Sequence, residues 1–133
     1  MHAIRGAMAY SGNELVLKVN GGYHGSHDTV QVDVHGSGLE NPGIPTDVLD
    51  RVKTVRYNDV SALEEIFEQY GDDLACFIIE PIMGAGGMVP ATQEYLSTAR
   101  DLTEETETPL IFDEVITYRL AEGGAQELYG VRP

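Results

Sequence analysis

The sequence predicts an α/β fold, a mostly parallel sheet with helices on both faces. Three observations carry this. The runs Leu15–Val19, Leu74–Ile79 and Leu110–Phe112 are almost continuously apolar, the pattern of strands covered on both sides. The segments between them repeat apolar residues at helical spacing. Strand, helix, strand, helix, strand in that order requires crossover connections and hence parallel pairing. At 133 residues the chain is one domain or part of one.

Each element has its own warrant. Residues 1–10 read as a helix with Ala3, Ala7 and Met8 on one side, ended by Ser11-Gly12. Leu15–Val19 is a strand closed by Gly21-Gly22. Residues 25–45 are glycine-rich and irregular, with a short helix around 28–32. Residues 54–57 read as a short strand. Residues 59–70 form a helix whose apolar face is Val60, Leu63, Ile66, Phe67 and Tyr70, started by a Ser61–Glu64 capping box or by Asn58 or Asp59. Leu74–Ile79 ends at Glu80-Pro81. Residues 92–105 are a helix with Tyr95, Leu96, Ala99 and Leu102 inward, and Leu110–Phe112 is the last strand.

Composition narrows the function. The formal charge is −14, from 22 acidic and 8 basic residues, so nucleic acid is excluded as a partner. Acids spread over the surface with almost no lysine point to a protein kept soluble in high salt, the halophilic reading, against that of an ordinary acidic protein. No stretch approaches the roughly 20 apolar residues of a membrane span. No basic-then-apolar leader follows Met1. The expectation is a soluble cytoplasmic protein with no membrane partner. The single cysteine, Cys76, lies in an apolar run and reads as a small core residue.

Ligands of open parallel sheets bind outside the carboxyl ends of the strands. Three segments fall there: residues 21–25, 80–87 and 113–117. Tyr23, on a glycine-rich turn, is free to lie flat over a ring, or simply covers the sheet edge. Asp113, after three apolar residues, is a partly desolvated carboxylate that wants a cationic partner. A protonated pyridine nitrogen supplies one, and the combination of stacking ring and strand-end anion points to pyridoxal 5′-phosphate; the alternatives for Asp113 are a loop cap or Mg²⁺. His24 with His27 has metal-ligand spacing only if helical, and nothing completes the set, so no metal is expected. Gly84-Ala85-Gly86-Gly87 lacks a nucleotide-loop ending and reads as a tight turn near the ligand. Glu80 is a structural or a site carboxylate. Arg119 either receives a substrate carboxylate or pairs with Glu114 or Glu122.

In order, these segments resemble the class III aminotransferases, pyridoxal phosphate enzymes of fold type I. The resemblance spans the chain, through Gly22-Tyr23-His24-Gly25, Glu80-Pro81-Ile82-Met83-Gly84-Ala85-Gly86-Gly87-Met88-Val89-Pro90, Phe112-Asp113-Glu114-Val115-Ile116-Thr117 and Gly123-Gly124-Ala125-Gln126-Glu127-Leu128-Tyr129-Gly130-Val131. The last two blocks are most similar to glutamate-1-semialdehyde 2,1-aminomutases and their transaminase relatives. The resemblance implies that Asp113 binds the pyridine nitrogen. It implies that Tyr23 stacks on one ring face, that Val115 packs on the other, that Glu80 belongs to the hydrogen-bonded floor, and that His24 is among the cofactor-binding residues. Ala85 stands where the aminomutase carries an asparagine, and the loop at Thr117-Tyr118-Arg119 is one residue shorter. Both departures favour a transaminase over the aminomutase.

The family's phosphate-binding turn precedes the helix resembled by residues 1–10, and its Schiff-base lysine follows the point where this chain stops. The chain holds only Lys18 and Lys53, both before Asp113. The expectation is therefore residues 1–133 of a larger cofactor domain, truncated at both ends, from a parent that is a homodimer by resemblance. That parent moves an amino group from an amino acid, a small-molecule substrate, to a keto acid or aldehyde. The alternatives are the aminomutase, which moves it within one substrate, and a non-catalytic remnant.

Overall fold

The computed structural model describes residues 1–34 and 43–133. Helix α1 (His2–Ser11) leads into strand β1 (Leu15–Val19), the short helices α2 (Asp28–Gln31) and α3 (Thr46–Asp50), and strand β2 (Val52–Val55). Helix α4 (Val60–Tyr70) and a single 3₁₀ turn (Gly71–Asp73) precede strand β3 (Leu74–Ile79). A small hairpin of β4 (Ile82–Met83) and β5 (Val89–Pro90), helix α5 (Gln93–Glu105), strand β6 (Leu110–Phe112) and helix α6 (Ala125–Tyr129) complete the order. Part of the glycine-rich stretch read at 25–45 lies outside the described residues; its expected short helix is α2.

The main sheet runs β2-β1-β3-β6, and all three pairings are parallel. Alternation along the strands divides the core between two faces. On one, Leu17, Val19, Phe77 and Ile79 pack with Leu63 and Phe67 of α4 and Tyr95, Leu96 and Ala99 of α5. On the other, Val16, Cys76 and Ile78 pack with Ile4 and Ala7 of α1 and Val30 of α2. Helices thus cover both faces, as expected. All six residues of β3 are buried, which is why its sequence shows no polar alternation. Cys76 is a fully buried free thiol whose pKa burial pushes up to about 12, so it is inert. Among the described residues no helix is long and apolar enough to cross a membrane.

Several local expectations move. The second strand lies at Val52–Val55 rather than 54–57, because the ladder with β1 ends where Val19 faces Val55. Tyr57 leaves the sheet and donates its hydroxyl to the carbonyls of Glu80 (2.8 Å) and Pro81 (3.1 Å). Asn58 then adopts a left-handed conformation (φ 60°), which asparagine tolerates. Its amide oxygen accepts from the Thr92 N–H (2.9 Å) at the start of α5. Helix α4 begins at Val60, so Ser61 lies inside it and the Ser61–Glu64 box does not form. Asp59 is the cap, accepting from the Ala62 N–H at 3.1 Å. Asp59→Ala should cost about 1 kcal/mol in a urea melt; no change would show that another group satisfies that N–H. The sequence reading missed α3, α6 and the β4–β5 hairpin. The two helices have five residues each and the hairpin strands two each, too short for a periodic pattern to register.

Candidate functional site

The carboxyl ends of β1, β3 and β6 converge, as the order of motifs implied. The Asp113 N–H donates to the Ile79 carbonyl (2.8 Å), which extends the β3–β6 ladder by one residue and fixes the Asp113 backbone on the sheet. Its carboxylate is held from two sides. His24 Nδ1–H donates to Oδ2 at 2.9 Å, and the Val115 N–H donates to Oδ1 at 3.2 Å. The His24 side chain is 1% exposed and that of Asp113 18%. The bond to Asp113 requires the proton of a neutral imidazole to sit on Nδ1, leaving Nε2 as an acceptor. Nε2 is buried and makes no hydrogen bond among the described residues. Gly22 has no side chain for a reason visible here: a Cβ would lie 3.1 Å from that nitrogen and 3.2 Å from the Val19 carbonyl.

The hydrogen bond from His24 holds the Asp113 pKa below the ordinary carboxylate range, outweighing the partial desolvation that would raise it; the Val115 N–H assists. Because the folded pKa is depressed, the stability this contributes is present above the unfolded value of about 4 and is lost as pH falls through the folded value. Asp113→Asn, which keeps an acceptor for His24, should therefore lose less stability than the unsubstituted chain as pH falls below about 4. Parallel pH profiles in urea would sink this.

Glu80 is 6% exposed and binds two loops at once. Oε2 accepts from the Tyr23 N–H (3.1 Å) and Oε1 from the Gly84 N–H (3.3 Å). It therefore sets the distance between the turn bearing Tyr23 and the β4–β5 hairpin. Gly84-Ala85-Gly86-Gly87 is a tight turn, with the Gly87 N–H on the Gly84 carbonyl, and a Cβ on Gly84 would run into Ile116. Tyr23 is exposed, its hydroxyl 3.2 Å from Ser26 Oγ. Val115 is 81% exposed, an unusual state for valine beside a core strand.

The remaining candidates divide. Arg119 is exposed and makes no ion pair among the described residues. Glu114 is engaged elsewhere, accepting from the Thr117 hydroxyl (2.9 Å) and the Ala125 N–H (2.6 Å). His27 precedes α2 rather than lying within a helix, so the helical His24–His27 spacing does not exist. No group of three or more potential ligands set to hold a metal ion occurs among the described residues. Sequence reasoning missed Tyr57 and Lys18. Lys18 is fully buried and donates to the carbonyls of Val30 (3.2 Å) and Val32 (2.7 Å), so it is not free to meet an aldehyde. A lysine inside an otherwise apolar strand was the available signal. Lys53 lies 5.1 Å from the centre of the Tyr70 ring.

The family model for aminotransferase class-III matches residues 1–133. The chain belongs to the class III aminotransferases. Within that family it is 46% identical over 138 residues to a glutamate-1-semialdehyde 2,1-aminomutase of Methanothermobacter thermautotrophicus, and 44% identical over 140 residues to that of Aquifex aeolicus. Each comparison covers 100% of this chain and 33% of the relative. This class III chain thus spans about a third of the length of the curated relatives it matches. Its backbone superposes with a TM-score of 0.94 on an omega-transaminase from Sphaerobacter thermophilus (36% identity, 100% of this chain, 33% of the other). A transaminase with PLP bound gives the same score at 34% identity, over 99% of this chain and 32% of the other. A glutamate-1-semialdehyde aminomutase from Pseudomonas aeruginosa gives 0.84 at 30% identity, over 99% and 30%. These neighbours identify the sheet as part of a fold type I PLP-dependent transferase, and the family implies pyridoxal phosphate as cofactor.

Proposed function

We propose that residues 1–133 supply the ring-binding floor of a pyridoxal phosphate site in an aminotransferase that moves an amino group between an amino acid and a keto acid or aldehyde. The observation that carries this is the His24–Asp113 pair at the strand ends. Asp113 uses one lone pair on each oxygen for His24 and Val115, which leaves acceptor capacity for a third donor. With its pKa depressed it is anionic at neutral pH, suited to the protonated nitrogen of a pyridine ring. When bound, the cofactor supplies an electron sink for charge developing at the substrate α-carbon.

The chain's own residues orient and sustain that ring. Asp113 holds the ring-nitrogen proton and His24 holds Asp113. Tyr23 and Val115, both exposed, are the apolar surfaces available to its two faces. Glu80 fixes the backbone of Tyr23. Arg119, solvent-facing and without an ion pair among the described residues, is available to a substrate carboxylate. The functional protein is a homodimer in this reading.

One observation favours the aminomutase as a second reading: the relatives named above at 44–46% identity are aminomutases. Against it, Ala85 and the short loop at Thr117-Tyr118-Arg119 depart from the aminomutase pattern. The test of the cofactor reading is titration with pyridoxal phosphate and with its 4′-deoxy analogue, which has no aldehyde. Saturable binding of the analogue, competing with the cofactor, is expected, since the floor needs no lysine. Binding of the aldehyde form alone, with borohydride trapping at Lys18 or Lys53, would overturn the reading. In the functional protein, amino transfer that requires a second, acceptor substrate separates the transaminase from the aminomutase.

A further inference from the structure

Lys18 is a charged group at the centre of the sheet that the site chemistry leaves unused. It pairs with Thr54 of β2 on one side and Ile78 of β3 on the other, and it is fully buried. An ammonium in that position is costly unless hydrogen bonds and opposite charge compensate it. An apolar residue of similar size would satisfy the strand pattern without that cost.

The compensation comes from one short segment. The Val30 and Val32 carbonyls accept from Nζ at 3.2 and 2.7 Å. Immediately after them, the Asp33 carbonyl accepts from the Gly21 N–H at 2.9 Å. The Gln31 side-chain amide donates to the Gly25 carbonyl at 2.8 Å. Residues 30–33 therefore grip the turn 21–25 at both ends, and Tyr23 and His24 lie between the two grips. Burial lowers the Lys18 pKa to about 8, while the Asp33 and Glu80 carboxylates pull it upward, so both acids lie within its field. Glu80 is the group that holds the Tyr23 N–H.

We propose that Lys18 is a positioning residue: its buried ammonium clamps residues 30–33 to the sheet and thereby fixes the turn that presents Tyr23 and His24. This rests on the cofactor reading for its purpose but not for its geometry.

The test is amide hydrogen exchange on the whole chain. In Lys18→Met, exchange at Gly21 and Tyr23 should accelerate roughly tenfold or more, while that at Phe77 and Ile78 changes far less. In Lys18→Ala, propylammonium, which replaces the missing atoms, should restore slow exchange at Gly21 and Tyr23. Tetramethylammonium, which has the charge but no N–H, should not. Unchanged exchange at Gly21 and Tyr23 in Lys18→Met, or an equal loss of protection throughout β3, would overturn the proposal. If neither variant folds, the ammonium protons of the unsubstituted chain decide: slow exchange at Lys18 relative to Lys53 upholds the clamp, and equal rates overturn it. Titration of the same samples with pyridoxal phosphate separates the two readings. Failure of the unsubstituted chain to bind removes the cofactor reading and leaves the clamp judged on exchange alone.

Discussion

Asp113→Ala is expected to weaken pyridoxal phosphate binding by roughly 100-fold, measured by absorbance titration. A hydrogen bond to a charged group contributes about 1.5–3 kcal/mol, and each 1.4 kcal/mol is a factor of ten. The carboxylate also compensates the positive charge of the ring nitrogen, so its removal takes away both terms. The same substitution leaves the His24 Nδ1–H buried without its acceptor, costing about 1–3 kcal/mol of folding stability. Asp113→Asn separates the effects. It keeps an acceptor for His24 and loses the anion, so it should destabilise the fold less than Asp113→Ala does while binding still falls. Binding within threefold of the unsubstituted chain in both variants would mean that Asp113 does not meet the cofactor, and that the His24–Asp113 pair is a structural link between β1 and β6.

Phe77→Ala should be the most damaging single core substitution. Phe77 is fully buried at the centre of β3, with its backbone paired to Leu17 on one side and Leu110 on the other. Its ring meets that of Phe67 edge-on, centroids 6.1 Å apart, and so joins α4 to the sheet. Removing it exchanges a buried ring for a cavity between elements that cannot close up, at a cost of about 3–5 kcal/mol. Domains of this size have about 5–15 kcal/mol in total. The urea midpoint should fall sharply with little change in slope. A loss below about 1 kcal/mol would show that α4 collapses onto the sheet and refills the space. Phe77→Leu should recover most of the loss, because the contact with Phe67 is apolar rather than specific to a ring.

The sheet was legible because burial on both faces writes itself into the strands. Leu74–Ile79 carries no polar residue, and such a run admits few alternatives to a central parallel strand. The meeting of residues 21–25, 80–87 and 113–117 was legible for a topological reason, since all three follow strands that point the same way. The partners within the site were not. Nothing in the spacing of His24 and Asp113 says that they touch, because the bond joins two strand ends that sequence order leaves far apart. Glu80 was ambiguous for the same cause: its partners are backbone N–H groups, which every residue but proline carries. The end of β2 was misplaced because Tyr57 is a good strand former on propensity. Its hydroxyl instead finds two carbonyls beyond β3, and a tertiary hydrogen bond overrides the local preference.

The order β2-β1-β3-β6 also bears on the sequence of events during synthesis. Strand β1 is made before both of its neighbours: Val16 pairs with Val52 and with Cys76. An elongating chain therefore carries an apolar strand with both edges open until β2 emerges, and with one edge open until β3 does. Closing such long loops is slow, and unpaired apolar strands are the species that aggregate. Gly12, Asn13 and Glu14 separate α1 from β1, and Asn13 donates to the carbonyls of Asp72 and Leu74, tying the strand to its late-arriving neighbour. The edge of β1 that faces β3 thus stays unpaired until Ile78 is available.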